Sequence, residues 1–137
     1  MIDGRKILFM KPQTFMNLSG EAVRAAADFY KIPPERIFVI CDDIALPSGK
    51  LRIRRQGSDG GHRGLRSIIM LLNSDCFPRL KIGVSDRGNR DMELADWVTG
   101  EFTDEEKKTL VSRFDDIFEI TQLFISGKTE QAMAKYN

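Results

Sequence analysis

Apolar residues fall into short continuous runs that predict strands. Lys6 to Met10 (KILFM) precedes Pro12, a pattern that favours a strand entering a loop. Ile37 to Cys41 (IFVIC) is rich in β-branched residues, as in a strand covered on both faces, and Leu80 to Val84 (LKIGV) predicts another buried strand. Lys50 to Arg55 alternates basic and aliphatic residues, which predicts a strand with its cations on one face.

Two segments in the first half of the chain carry apolar residues at helical spacing. Ser19 can cap a helix that ends before Pro33 and Pro34. Its apolar positions are Val23, Ala26, Ala27 and Tyr30. A second helix is predicted over Leu65 to Leu72, directly after the glycine-rich stretch QGSDGGHRG.

The last third of the chain also predicts helices. Thr103 and Glu106 have the spacing of a capping box, which starts a long helix that Gly127 ends. The apolar positions of this helix are Leu110, Phe114, Ile117, Phe118, Thr121 and Phe124. A short helix is predicted over Thr129 to Met133.

Strands that alternate with helices indicate an α/β protein. We expect residues 1–137 to form a single three-layer domain, with a mixed, mostly parallel sheet and helices on both faces. Sites in such sheets form at the carboxyl ends of strands, which draws attention to Asp42 after IFVIC.

Composition excludes several protein classes. The 137 residues are 42% hydrophobic and 30% charged, as in one globular domain and unlike a disordered chain. No apolar run approaches the roughly 20 residues of a membrane span. The first residues carry charges where a signal peptide is apolar, and two cysteines suggest reduced thiols, so we expect a cytoplasmic protein with no metal.

Charge is unevenly distributed although the net charge is only +1. Lys50 to Arg66 contains six basic residues against one acid, whereas Asp91 to Asp116 contains nine acids against three basic residues. The middle segment should therefore attract a polyanion, although a solvated charged face is the simpler explanation.

Three residues have side chains suited to chemistry. His62 is the only histidine and lies in a glycine-rich turn, where it could be a base or could bond the nearby backbone. Asp42 could act at a strand end or close a turn, and Asn17 could orient a water or form an Asx turn. The spacing of the glycines around His62 matches neither a phosphate-binding loop nor a dinucleotide-binding fingerprint.

Four strings together resemble the bacterial peptidyl-tRNA hydrolases. In chain order they are KPQTFMNLSG, VICDDIALPSGKLRIR, GGHRGLRSI and FPRLKIGVS, and the likeness continues through WVTGEFTDEE to AMAKYN. This resemblance implies an esterase that frees peptides from tRNA released by stalled ribosomes. It implies no cofactor.

The resemblance also implies catalytic and peptide-binding roles. Asn17 matches the asparagine that orients the attacking water, and Asp42 matches the aspartate that holds a catalytic histidine in its productive tautomer. Met16, His62 and Arg63 match positions that line the substrate cleft, where many relatives have asparagine in place of Arg63. The position of His62 is not that of the family's general base.

Basic positions complete the resemblance. Arg52, Arg54 and Lys81 match residues that grip phosphates of the tRNA acceptor stem. This match gives the cationic face of the predicted strand a function.

One part of the family pattern is not found in this sequence. Relatives carry a GLGNPG strand and loop followed by TRHN, and that segment holds the histidine that activates water. We therefore expect an N-terminally incomplete domain that is weakly active or inactive alone. An unpaired sheet edge near the N-terminus should also favour self-association.

Three alternatives remain open. The chain could be a non-catalytic module that binds the tRNA acceptor stem. His62 could replace the missing base and pair with Asp42. A metal hydrolase that uses Asp42 and Asp43 is disfavoured, because consecutive strand residues point to opposite faces.

Overall fold

The computed structural model describes Ile2, residues 4–13, Phe15, residues 18–84 and residues 103–137. The chain divides into two compact units. The first comprises Met1–Val39 and Arg54–Arg79, and the second comprises Ile40–Ile53 and Leu80–Asn137.

The first unit is built on two packed helices, α1 (Ser19–Tyr30) and α2 (Arg63–Leu72). A short 3₁₀ helix, Pro34–Arg36, follows α1. Buried apolar side chains of this unit are Ala27, Leu65, Ile68 and Phe77.

The second unit contains most residues of the sheet and three helices. The strands are β1 (Val39–Asp43), β2 (Leu51–Arg54) and β3 (Arg79–Gly83), in the order β1-β3-β2. The helices are α3 (Asp104–Val111), α4 (Phe114–Ile125) and α5 (Thr129–Tyr136), and α4 packs against α5. Leu51, Ile53, Leu80, Ile120 and Ala132 are the most deeply buried apolar residues of this unit.

The sheet is mixed. The N–H of Val39 donates to the carbonyl of Pro78 at 3.1 Å, and that of Val84 donates to Asp43 at 3.1 Å, so β1 and β3 run parallel. Gly83, at the end of β3, bonds to Lys50 and Gly49, just before β2 begins, so β2 and β3 run antiparallel. The α/β class is confirmed, while the single-domain assignment, the three-layer arrangement and a mostly parallel sheet stay predictions.

The strand predicted at Lys6 to Met10 is wrong. These residues have no regular structure, and Leu8, Phe9 and Met10 are 48%, 73% and 43% exposed. A strand needs a hydrogen-bonded neighbour, and local hydrophobicity does not provide one.

The strand predicted over Ile37 to Cys41 lies two residues later, at β1. It is not covered on both faces, because Ile40 is 48% exposed. Its place at one edge of the described sheet explains this exposure.

Several predicted helix ends are corrected. Ser19 is the first residue of α1 and not its cap, and the helix ends at Tyr30, where Lys31 takes a left-handed conformation with φ 54°. Helix α2 begins at Arg63, two residues before the predicted start. The carboxyl-terminal helix α5 extends to Tyr136.

The long helix predicted after Thr103 is two helices, α3 and α4, separated by Ser112 and Arg113. The capping box of Thr103 and Glu106 is confirmed, with both reciprocal hydrogen bonds at 3.2 Å. Among the described residues, no helix is both long enough and apolar enough to cross a membrane.

Candidate functional site

The end of β1 presents two aspartates with different surroundings. Asp43 Oδ1 accepts a hydrogen bond from the N–H of Ala45 at 2.8 Å, and its Oδ2 lies 4.0 Å from Lys81 Nζ. Asp42 is half-buried, and its place in β1 directs its side chain to the opposite face of the strand from Asp43. The carboxylate of Asp43 therefore closes a turn and faces a lysine, and the two aspartates lie on opposite faces of β1.

His62 is the N-cap of α2. Its Nδ1 accepts a hydrogen bond from the N–H of Leu65 at 3.2 Å, which satisfies one of the donors at the helix start. A neutral imidazole that accepts through Nδ1 carries its proton on Nε2. The simpler explanation of the sequence, a histidine that bonds the nearby backbone, is therefore correct for Nδ1.

The loop before His62 is held by its own aspartate. Asp59 Oδ1 accepts from the N–H of Gly61 at 2.8 Å, and the Asp59 carbonyl accepts from the N–H of His62 at 2.9 Å. Gly60 and Gly61 have φ values of 57° and 85°, which glycine adopts without strain. These bonds fix the backbone at the start of α2 and hence the position of the His62 side chain.

Sequence reasoning missed Arg79 as a residue that supports this loop. Its side chain is fully buried, and its guanidinium donates to the carbonyls of Asp75 at 2.6 Å, Ser58 at 3.3 Å and Phe77 at 3.2 Å. The guanidinium carbon also lies 4.2 Å from the centre of the Phe77 ring. Only its position inside the apolar run FPRLKIGV signals burial in the sequence.

The alternation predicted for the basic strand is confirmed. Leu51 and Ile53 are 0% exposed, whereas Arg52 is half-exposed and Arg54 is exposed. β2 thus turns its aliphatic side chains to the core and leaves its arginines on the other face.

Lys81 differs from these arginines. Its side chain is only 18% exposed and its amine faces the carboxylate of Asp43. Arg63, by contrast, is exposed at the first position of α2. Met16 and Asn17 lie outside the described residues.

No group of three or more histidine, cysteine, aspartate or glutamate side chains in the described part of the chain could hold a metal ion. Cys41 and Cys76 are both reduced thiols.

Comparison with known proteins decides the family. The family model for peptidyl-tRNA hydrolase matches residues 1–137. The peptidyl-tRNA hydrolase of Caldanaerobacter subterraneus is 48% identical over 134 residues, which cover 98% of this chain and 71% of that relative. The chain belongs to the peptidyl-tRNA hydrolase family. The peptidyl-tRNA hydrolase of Clostridium acetobutylicum is 43% identical over 137 residues. The matched region covers all of this chain and 72% of that relative.

Solved structures of this family share the fold. A crystal structure of peptidyl-tRNA hydrolase from Acinetobacter baumannii matches with a TM-score of 0.83 and 32% identity, covering 92% of this chain and 63% of that one. A complex of peptidyl-tRNA hydrolase with N-propanol matches with a TM-score of 0.80 and 30% identity. The chain thus spans less than two thirds of the solved chains it matches and about 71% of the curated relatives.

Proposed function

We propose that this protein acts on peptidyl-tRNA, hydrolysing the ester between the peptide and the tRNA. The match of the family model to all 137 residues carries the proposal. In the reaction, the oxygen of a water attacks the ester carbonyl while a base takes its proton. The carbonyl carbon then releases the terminal ribose oxygen of the tRNA, which takes up a proton, and the peptide leaves as a carboxylate.

Each site residue has a proposed part in this reaction. Asn17 orients the water, and Asp42 is the carboxylate that steers an imidazole base. Met16 and Arg63 line the peptide side of the cleft, and His62 contributes its Nε2 N–H to substrate binding. The position of Asp42 at the end of β1 supports its role, because sites in α/β sheets form at the carboxyl ends of strands.

The outward face of β2 is the proposed tRNA contact. Arg52 and Arg54 alternate with fully buried residues, so both guanidinium groups lie on the side away from the core. Guanidinium groups bind phosphates bidentately and fix the register of a nucleic acid. Lys81 is the weaker contributor, since its amine is mostly buried and lies near Asp43.

A protein limited to these 137 residues should be a slow catalyst. It contains one imidazole, and the Nδ1 of that ring accepts a hydrogen bond from Leu65. In a catalytic triad the base donates its Nδ1 proton to the steering carboxylate, and in His62 this nitrogen is already an acceptor. The same observation favours the second candidate, a module that binds the tRNA acceptor stem without cleaving it.

Hydrolysis and binding of the same RNA separate the two candidates. The purified chain is incubated with an N-blocked aminoacyl-tRNA, and release of the blocked amino acid is followed against the uncatalysed rate. A tight complex with little release supports the binding module, and release well above background supports the hydrolase. Lack of binding to any tRNA contradicts both.

Substitution of Asp42 tests the steering role. Asp42→Asn keeps the size of the side chain and removes its charge, and Asp43→Asn is the neighbouring control. If an imidazole depends on Asp42, the first variant loses about 10²–10⁴-fold in rate. If none does, both variants keep whatever residual rate the chain has.

Self-association is a further proposal. Phe9 and Phe15 are 73% and 81% exposed in the first unit, and such side chains favour contact with other apolar surfaces. Light scattering on Phe9→Ser should show a smaller average mass than the unchanged chain. A monomeric unchanged chain contradicts this proposal.

A further inference from the structure

The side chain of Asn137 forms two hydrogen bonds with the backbone of one residue in β2. Its Oδ1 accepts from the N–H of Ile53 at 2.7 Å, and its Nδ2 donates to the carbonyl of Ile53 at 3.0 Å. This pair of bonds is the one that a residue on an adjacent antiparallel strand would offer. Asn137 itself caps α5, with its own N–H bonded to Met133.

The bonds lie on a strand at one edge of the described sheet. β2 is at one edge of the described sheet, with β3 as its hydrogen-bonded neighbour on the inner side. Ile53 is fully buried, so its side chain and both of its backbone groups are held together. Fixing Ile53 fixes the peptide plane that it shares with Arg52, and hence the direction in which the Arg52 side chain leaves the strand.

We propose that Asn137 is a positioning residue for tRNA binding, acting through Ile53 to hold Arg52 in the orientation that meets a phosphate. This inference rests on the proposed function of the β2 face. Ordering a long side chain on binding costs affinity, and a backbone that is already fixed reduces this cost. Asn137 is not among the residues proposed above to contact the substrate.

The test is a double-mutant cycle in tRNA binding at fixed low salt. The unchanged chain, Asn137→Ala, Arg52→Ala and the double variant are titrated with deacylated tRNA at a temperature where all are folded. Asn137→Ala should weaken binding roughly threefold to tenfold when Arg52 is present. It should have less than about a 1.5-fold effect when Arg52 is absent, because no oriented guanidinium is left to lose.

Gln131→Ala is the matched control, since Gln131 is an exposed amide residue on the same helix. This variant should bind tRNA as the unchanged chain does. Amide hydrogen exchange gives an independent measurement: the Ile53 N–H should exchange faster in Asn137→Ala and at the unchanged rate in Gln131→Ala.

Each contrary outcome has its own meaning. Equal effects of Asn137→Ala with and without Arg52 show a purely structural role and overturn the inference, as does unchanged exchange at Ile53. Failure of the unchanged chain to bind tRNA overturns the proposed function and this inference together. Binding by the unchanged chain with no effect of Asn137→Ala overturns the inference alone.

Discussion

The backbone N–H of Gly20 donates a hydrogen bond of 2.8 Å to the hydroxyl oxygen of Ser67, within the buried contact of α1 and α2. Gly20 ends the string KPQTFMNLSG, three residues after Asn17, and Ser67 lies five residues after His62. One close contact thus joins the two helices that follow the proposed water-orienting and substrate-binding residues.

Gly20→Ala should destabilise the protein. A Cβ at this position would lie 2.2 Å from the carbonyl oxygen of Ser67, so the helices must move apart. Overpacking of this kind costs about 1–3 kcal/mol in the free energy of unfolding, measurable by urea denaturation. Glu21→Ala, at the exposed neighbouring residue, should change it by less than about 0.5 kcal/mol. Equal stability of Gly20→Ala and the unchanged chain would show that the helices separate without cost.

Two substitutions of His62 should separate its two roles. His62→Ala removes the N-cap and should cost about 1 kcal/mol of stability, whereas His62→Asn retains a capping oxygen and should cost little. Both remove the Nε2 donor and should weaken tRNA binding equally. Thermal unfolding and tRNA titration of the same two preparations provide the comparison. If His62→Asn binds as the unchanged chain does, the ring has only its capping role.

Salt dependence should distinguish Arg52 from Lys81. Each phosphate contact that is lost reduces the slope of log affinity against log salt by about 0.7–0.9. Arg52→Ala should show this reduction, because its side chain is on the outward face of β2. Lys81→Ala should change the slope much less, because its amine is mostly buried and pairs with Asp43. Titrations at several salt concentrations measure both slopes, and an equal reduction would place Lys81 on a phosphate as well.

Stability should depend on pH through the cluster that joins α4 and α5. Lys135 Nζ donates to Glu119 Oε1 at 2.8 Å, and the Tyr136 hydroxyl donates to the other oxygen. The bonds from Lys135 and Tyr136 lower the pKa of Glu119, and the bonds to Glu119 raise the pKa of Lys135 and of Tyr136.

The direction of the effect follows from these pKa shifts. The depressed pKa of Glu119 means that its contribution is present above the ordinary value of 4.5 and is lost as the pH falls through the lowered value. The raised pKa values of Tyr136 and Lys135 mean that theirs are present below 10.0 and 10.5 and are lost on further alkalinisation. The difference in urea midpoint between the unchanged chain and Glu119→Gln should therefore be largest between these limits. A difference that does not vary with pH would contradict this prediction.

The sequence predicts structure well where the signal is local. Leu51 and Ile53 alternate with basic residues, and a period of two suffices to orient each side chain. Thr103 and Glu106 specify a helix start three residues apart. Lys6 to Met10 has the composition of a strand but does not form one, because a strand also needs a pairing partner that lies elsewhere in the chain.

The candidate site divides in the same way. His62 attracts attention because it is the only histidine, and its helix-capping bond to Leu65 is a local feature. The bond from Arg79 to Ser58 spans 21 residues, and that from Ile53 to Asn137 spans 84. No periodicity or motif in the chain indicates such pairs, because they arise only when the segments are folded together.

The order β1-β3-β2 places the last of the three described strands to be synthesised between the two that precede it. While the polypeptide is still emerging from the ribosome, β1 and β2 lack their shared neighbour until Arg79–Gly83 has been translated. Until then, their unpaired edges are open to contacts with other nascent chains. Rare codons that delay translation before Arg79–Gly83 has left the ribosome should therefore lower the yield of native protein, whereas the same delay after this strand has left it should not.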